Sequence, residues 1–188
     1  MKAVMLSLRP QWCEKIFNGE KTIEVRKSRP SIPTPFKVYV YQTKHKGGKA
    51  IVSEVLNSVY GGGKVIGSFV CDRVRLCIPF GLKGHLLSQE VYREMCLTKE
   101  QLDKYGGLKT LYGWHITEPK LFDKPRELRE FYTKCDKTGD CECEDCLHLQ
   151  VVLSSYPCDD DVYTWCGVDN KKPISRPPQS WCYVEEEE

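Results

Sequence analysis

The sequence predicts a mixed α+β domain that carries a cysteine-rich insertion near its C-terminal end. Three observations lead there. Residues 3–8, 36–43, 64–78 and 110–122 are rich in β-branched and aromatic side chains with two-residue alternation, the mark of strands. Between them lie stretches with helical spacing or helix caps, at residues 10–18, 88–95 and 98–106. Beyond residue 134 the composition changes, and residues 135–176 become rich in Cys, Asp and Gly with one good apolar run, at 147–153.

In the first strand Val4, Leu6 and Leu8 alternate with Ala3, Met5 and Ser7. Pro10 suits the first turn of a helix, where its missing N–H costs nothing. Trp12, Cys13, Ile16 and Phe17 then recur at i, i+1, i+4 and i+5 as one apolar stripe. Gly19 ends that helix, because a C′ position favours a residue that enters the left-handed region without penalty. Thr22, Ile23 and Val25 favour strand, and alternation puts Thr22, Glu24 and Arg26 on one face with Ile23 and Val25 on the other. Pro30, Pro33 and Pro35 break the chain. After the strand at 36–43 comes a basic turn or loop, 44–49. Residues 50–60 fit either a strand or a short helix, and Gly61, Gly62 and Gly63 form a turn.

Residues 64–78 give the longest strand signal. Ile66, Val70, Val74, Leu76 and Ile78 fall on one face, and Phe69, Cys71, Arg73 and Arg75 on the other. Ser88 caps a helix running through Met95. Thr98-Lys99-Glu100-Gln101 has the capping-box pattern, and Gly106 closes the helix it starts. In the strand at 110–122, Trp114 and Ile116 share one parity and His115 takes the other. Pro125 ends it, and residues 126–132 suit a short helix. No internal repeat is visible. A last strand, 180–184, returns to the sheet. The expected organisation is a domain over 1–134, an insertion over 135–176, and a final strand with an acidic tail over 177–188.

At 188 residues, 40% apolar and 29% charged, the chain has the length and composition of a soluble domain with a real core. No apolar run approaches the roughly 20 residues that a membrane span needs. The first eight residues are too short for a signal-peptide core and are followed by Arg9-Pro10, so a cytoplasmic protein without membrane contact is expected. The net charge of +2 hides a gradient. Residues 1–50 hold 11 Lys and Arg against 3 acids, and residues 119–188 hold 9 against 16. A basic N-terminal third is the footprint expected for a phosphate-bearing partner, although a lysine-rich surface is also common. The terminal Glu185-Glu186-Glu187-Glu188 reads as a solvated tail.

Eleven cysteines without a secretory signal weigh against a disulfide framework. Cys13, Cys71, Cys77 and Cys96 read as small buried hydrophobes. The other seven follow residue 134. Cys135-x5-Cys141-x-Cys143-x2-Cys146, with Cys158 and Cys166 as alternates and His148 as a spare, could close a tetrahedral structural zinc site. Free thiols and iron–sulfur ligation are the competing readings of this cluster.

The stretch with the most chemistry is Gly19-x-Lys21-x-x-Glu24-x-Arg26, which gathers an ammonium, a carboxylate and a guanidinium around one helix-to-strand turn. The alternative is a solvated, charged strand edge. The pattern resembles the G-x-K-x-x-E-x-R signature of the ASCH domain family, in its bacterial and phage type. Leu8-Arg9-Pro10-x-Trp12 and Tyr112-Gly113-Trp114-His115-Ile116 are also similar to that family. The resemblance covers roughly residues 3–125 and resumes at Pro177-Pro178-Gln179-Ser180-Trp181. It implies a PUA-like β-barrel decorated by helices, a cleft, a role in RNA or nucleotide binding, and hydrolytic activity in some members.

Three classes of function follow. The first is binding of RNA or a nucleotide through Arg9, Lys21, Thr22, Glu24, Arg26 and Trp181. Here Arg26 offers a planar fork, Lys21 a point charge, and Trp181 a stacking surface beside Pro177 and Pro178. Trp12, Tyr39, Tyr41, Tyr112 and Trp114 are further stacking candidates, or core. The second is an enzyme, an amidohydrolase acting on acetylated cytidine or a ribonuclease, with Lys21 and Glu24 as catalytic groups and an acid of the helical excursion, Glu90 or Glu94, as a third group. The amidohydrolase relatives that the chain resembles at Lys21 use a threonine three residues later, where this chain has Glu24, so the presumed nucleophile is missing. The third is a protein-interaction module of phage or mobile-element origin, acting through the Cys-rich segment. His115 and the Arg73/Arg75 pair read first as sheet-surface residues.

Overall fold

Strand β1 (Lys2–Leu8) is apolar on both faces, and both faces are buried, so it belongs inside a sheet. The computed structural model describes residues 2–44, 51–53, 58–60, 62–82, 87–134 and 171–185. After β1 the chain forms helix α1 (Pro10–Phe17), strand β2 (Ile23–Arg26) and strand β3 (Phe36–Gln42). β4 (Ile51–Ser53) and β5 (Ser58–Tyr60) pair with each other, so the described parts of the ambiguous 50–60 stretch are strand. Then come β6 (Lys64–Ile78), α2 (Gln89–Met95), α3 (Lys99–Gly106) and β7 (Leu111–Arg126). A 3-10 turn (Leu128–Glu130), β8 (Tyr132–Lys134), β9 (Lys171–Pro173) and β10 (Trp181–Glu185) complete the described elements.

The architecture is the expected mixed α+β one. Six strands form a sheet in the order β10-β1-β3-β6-β7-β2. β1 and β3 run parallel, and the other neighbours are antiparallel. The parallel pair requires a crossover, which α1 and β2 supply. The sheet curls strongly. Arg26, on edge strand β2, donates hydrogen bonds to the Ser7 carbonyl on β1 and to Ser180 Oγ just ahead of β10. One edge of the sheet is thereby tied to the other side.

The curl gives three packed clusters. Val4, Leu6, Val38, Val40, Ile66, Phe69 and Trp114 fill the inside, with Cys13 and Ile16 of α1 plugging one part of it. Ala3, Met5, Tyr39, Leu128 and Phe131 pack on the outer side under the 3-10 turn. Val25, Ile78, Met95, Leu102 and Leu111 form the third cluster, where α2 and α3 cover β2 and β7. Ser88 caps α2, and the expected Thr98/Gln101 capping box opens α3.

Three expectations need correction. The one-face apolar stripe of β6 does not hold: Ile66, Phe69 and Cys71 share the inner core, whereas Leu76 is 58% exposed. Register shifts along the β6–β7 ladder change the parity repeatedly, as bulges do. Pro125 does not end β7, which runs on to Arg126; the pairing there is irregular, so a missing N–H is tolerated. Gly107, not Gly106, takes the positive φ after α3, while Gly106 is needed small because a Cβ there would meet the Leu111 side chain at 2.8 Å.

β8 ends at Lys134, and β9 begins at Lys171, its direct partner. Cys135, Cys141, Cys143, Cys146, Cys158, Cys166 and His148 lie outside the described residues. Cys13 and Cys71 are buried, as expected, whereas Cys77 and Cys96 are only half-buried; burial pushes the Cys71 thiol up to about 12. No helix among the described residues is long and apolar enough to cross a membrane.

Candidate functional site

The signature folds as a tight return from α1 into β2. Gly19 takes a φ of +81°, and the Lys21 N–H donates to the Lys15 carbonyl at 2.8 Å, so the chain doubles back on the last turn of the helix. The Thr22 N–H donates to the Glu94 carbonyl at 3.0 Å, docking the turn on α2. Glu24 and Arg26 then pair in register with Trp114 and Tyr112 of β7, on the face turned to the inner core. Ile23 and Val25 pack on the other side, under the helices.

The three charged groups meet, and they meet in the interior. Lys21, Glu24 and Arg26 retain 2%, 6% and 8% of their exposure. β2 is an edge strand, yet the helical cover and the curl of the sheet remove these side chains from solvent, which overturns the solvated-edge reading. Lys21 Nζ donates to the Met95 carbonyl, lies 3.4 Å from Glu24 Oε2, and sits 5.2 Å from the centroid of the Trp12 ring. Arg26 Nε is 3.0 Å from Glu24 Oε1, but its N–H has no hydrogen-bond partner, so this contact is an ion pair without a directed bond. The terminal nitrogens of Arg26 carry the directed bonds, to Ser7 O at 2.9 Å and Ser180 Oγ at 3.3 Å. Burial holds the Lys21 ammonium below its ordinary pKa, and the neighbouring Glu24 carboxylate opposes part of that shift.

This trio lies in the wall of a cleft of about 690 Å³. Arg9 is exposed at the cleft, and Pro177, Pro178 and Gln179 supply another part of the wall. A larger open groove of about 850 Å³, between Lys2, Phe36, Lys120 and Phe122, contains none of the signature residues.

Two expected site residues fall elsewhere. Trp181 is not in the cleft wall. It pairs with Leu6, faces the inner core, packs edge-on against Trp114 at 5.8 Å, and donates its indole N–H to Ser28 Oγ. Thr22 precedes the first paired strand residue, so strand parity does not carry it into the cleft; its hydroxyl is buried without a hydrogen-bond partner. Neither Glu90 nor Glu94 lines the cleft; Glu94 contributes its backbone carbonyl to the turn. His115 and Arg73 are surface residues of the ladder, with His115 Nδ1 2.6 Å from Asp72 Oδ1.

Other cleft residues were not anticipated. Leu97, Gln101 and Tyr105 come from the α2–α3 excursion, and Thr43 from the end of β3. Gln101 and Tyr105 are four apart on α3, next to the buried Leu102 and Gly106, and that spacing is the one signal of a shared face that the sequence offered. Burial raises the Tyr105 phenol pKa, while Arg26 acts to lower it and Glu24 to raise it. Among the described residues, no group of three or more His, Cys, Asp or Glu side chains is arranged to hold a metal.

The fold is that of an ASCH domain. The crystal structure of ASCH from Zymomonas mobilis superposes with a TM-score of 0.55 at 16% identity, covering 98% of this chain and 88% of that one. Two mutant forms of the same Zymomonas mobilis protein match at 15% identity, with TM-scores of 0.55 and 0.53, over 98% and 99% of this chain and 89% and 92% of theirs. No family model and no curated protein matches the sequence.

Proposed function

We propose that the chain binds RNA or a nucleotide in the cleft beside Lys21, Glu24 and Arg26. The observation that carries this reading is the Glu24 carboxylate, buried in the cleft wall between two cations, with Trp12 and Tyr105 also in that wall. A carboxylate so placed can accept hydrogen bonds from the amino edge of a base, while exposed Arg9 meets a phosphate. Stacking on an aromatic side chain is worth about 1–3 kcal/mol per base. The excess of 11 Lys and Arg over 3 acids in residues 1–50 favours a polyanion.

Titration with the four ribonucleoside 5′-monophosphates and with short single-stranded RNA tests this reading. Binding is expected to weaken on Arg9→Ala and Glu24→Gln. For RNA it should weaken with salt, at a slope of about −0.7 per phosphate contact. Binding that is unchanged in both variants would remove the cleft from the function.

A second reading rests on Lys21. An amine whose pKa is lowered by burial is suited to general-base work, which favours hydrolysis of an acetylated cytidine or of RNA. Glu24 stands where the amidohydrolase relatives carry threonine, so a water rather than a side-chain hydroxyl would be the nucleophile. Turnover of acetylated cytidine that disappears in Lys21→Ala would replace the binding reading with this one.

A further inference from the structure

A second hollow adjoins the cleft. It measures about 530 Å³, lies between α2 and α3, and includes Arg93, Thr98 and Lys99 in its wall. Leu97 and Gln101 line both hollows, so the two share a wall. The charged side chains that line the second hollow are the exposed Arg93 and Lys99, neither within salt-bridge distance of a carboxylate among the described residues. No carboxylate lines it, and the nearby acids Glu100, beside Lys99, and Asp103, near Tyr92, stand outside the wall. The cleft itself carries Arg9, Lys21 and Arg26 against the single carboxylate of Glu24.

The backbone of α3 does not serve this hollow as an anion site. Thr98 Oγ1 accepts from the Gln101 N–H at 3.2 Å, and Gln101 Oε1 accepts from the Thr98 N–H at 2.9 Å. That box commits two backbone donors internally. It also fixes the Gln101 side chain by its oxygen, which leaves the amide NH2 as a donor on a residue of the shared wall. An anion in the recess is therefore met by side chains.

We propose that the ligand is a single strand of at least two nucleotides that crosses the Leu97–Gln101 wall. One base sits in the cleft, and the following phosphate is held in the recess by Arg93 and Lys99. The proposal rests on the nucleotide-binding reading above and narrows it from a mononucleotide to a strand. A 5′-monophosphate has no 3′ phosphate to place across the wall, whereas a phosphodiester backbone satisfies both hollows at once and gains from the linkage.

The test compares ribonucleoside 5′-monophosphates with octanucleotides of uridylate and of adenylate on the full chain. Wild type and Arg93→Ala/Lys99→Ala are titrated over a range of salt. Both replaced side chains are exposed, and an unchanged melting temperature checks that the double variant is folded. The octanucleotides are expected to bind more tightly than any monophosphate. The double variant should lose about ten-fold in octanucleotide affinity, with a salt slope shallower by about 1.4 for two lost contacts. Monophosphate binding should not change. Octanucleotides that bind no tighter than monophosphates, or a double variant that keeps the full slope, would overturn the strand while leaving the cleft reading intact. No binding by any of the probes would overturn both.

Discussion

Glu24 and Arg26, two residues apart on an edge strand, form an ion pair at 3.0 Å inside the protein, and the same guanidinium ties β2 to Ser7 and Ser180. Removing one member of a buried pair leaves the other charged and uncompensated. Arg26→Ala is therefore expected to destabilise the fold by about 3–5 kcal/mol, read as a lower denaturant midpoint at constant slope. A loss below about 1 kcal/mol, the range of exposed pairs, would mean that the trio is solvated.

Lys21 makes stability depend on alkaline pH. Its folded pKa lies below the ordinary 10.5, so burying the ammonium is a penalty that is fully present below the folded pKa. Between the folded and unfolded values the unfolded chain binds more protons, and stability rises with pH there. The stability of wild type relative to Lys21→Met should accordingly improve as pH climbs toward 10.5. Denaturant unfolding of both forms across that range checks it; a constant or falling difference contradicts the burial assigned to Lys21.

Gly67 is a point of close approach. A Cβ there would lie 2.5 Å from the Lys120 carbonyl oxygen of β7 and 2.7 Å from the Phe17 ring of α1. A backbone oxygen cannot step aside as a flexible side chain can. Gly67→Ala should lower stability by roughly 1–3 kcal/mol through strain, visible as a reduced melting temperature. An unchanged melting temperature would place α1 further from the sheet than described.

The cysteine-rich segment is proposed to hold a structural zinc through Cys135, Cys141, Cys143 and Cys146, with Cys158 and Cys166 as alternates. Thiolate ligation couples metal binding to local order and weakens as the thiols protonate. Elemental analysis of reductant-treated protein should find zinc, and chelation should expose the segment to protease while the sheet domain stays folded. Protein free of both zinc and iron would end the proposal.

Gly19 in the left-handed region, the apolar stripe of α1, the Thr98/Gln101 box and the alternation of β2 all follow from the sequence. Each rests on interactions within a few residues, where periodicity and backbone preference act directly. The grouping of Lys21, Glu24 and Arg26 was legible for the same reason. Their burial was not, because it depends on α2 and α3 folding over β2 and on the curl that brings Ser7 and Ser180 within reach of Arg26. The β6 faces were misread because bulges belong to the ladder with β7, not to either strand alone. Trp181 went to the core and Tyr105 to the cleft for a related reason. Side chains from distant elements compete for the inner face, and only the curled sheet decides which of them lines the cleft.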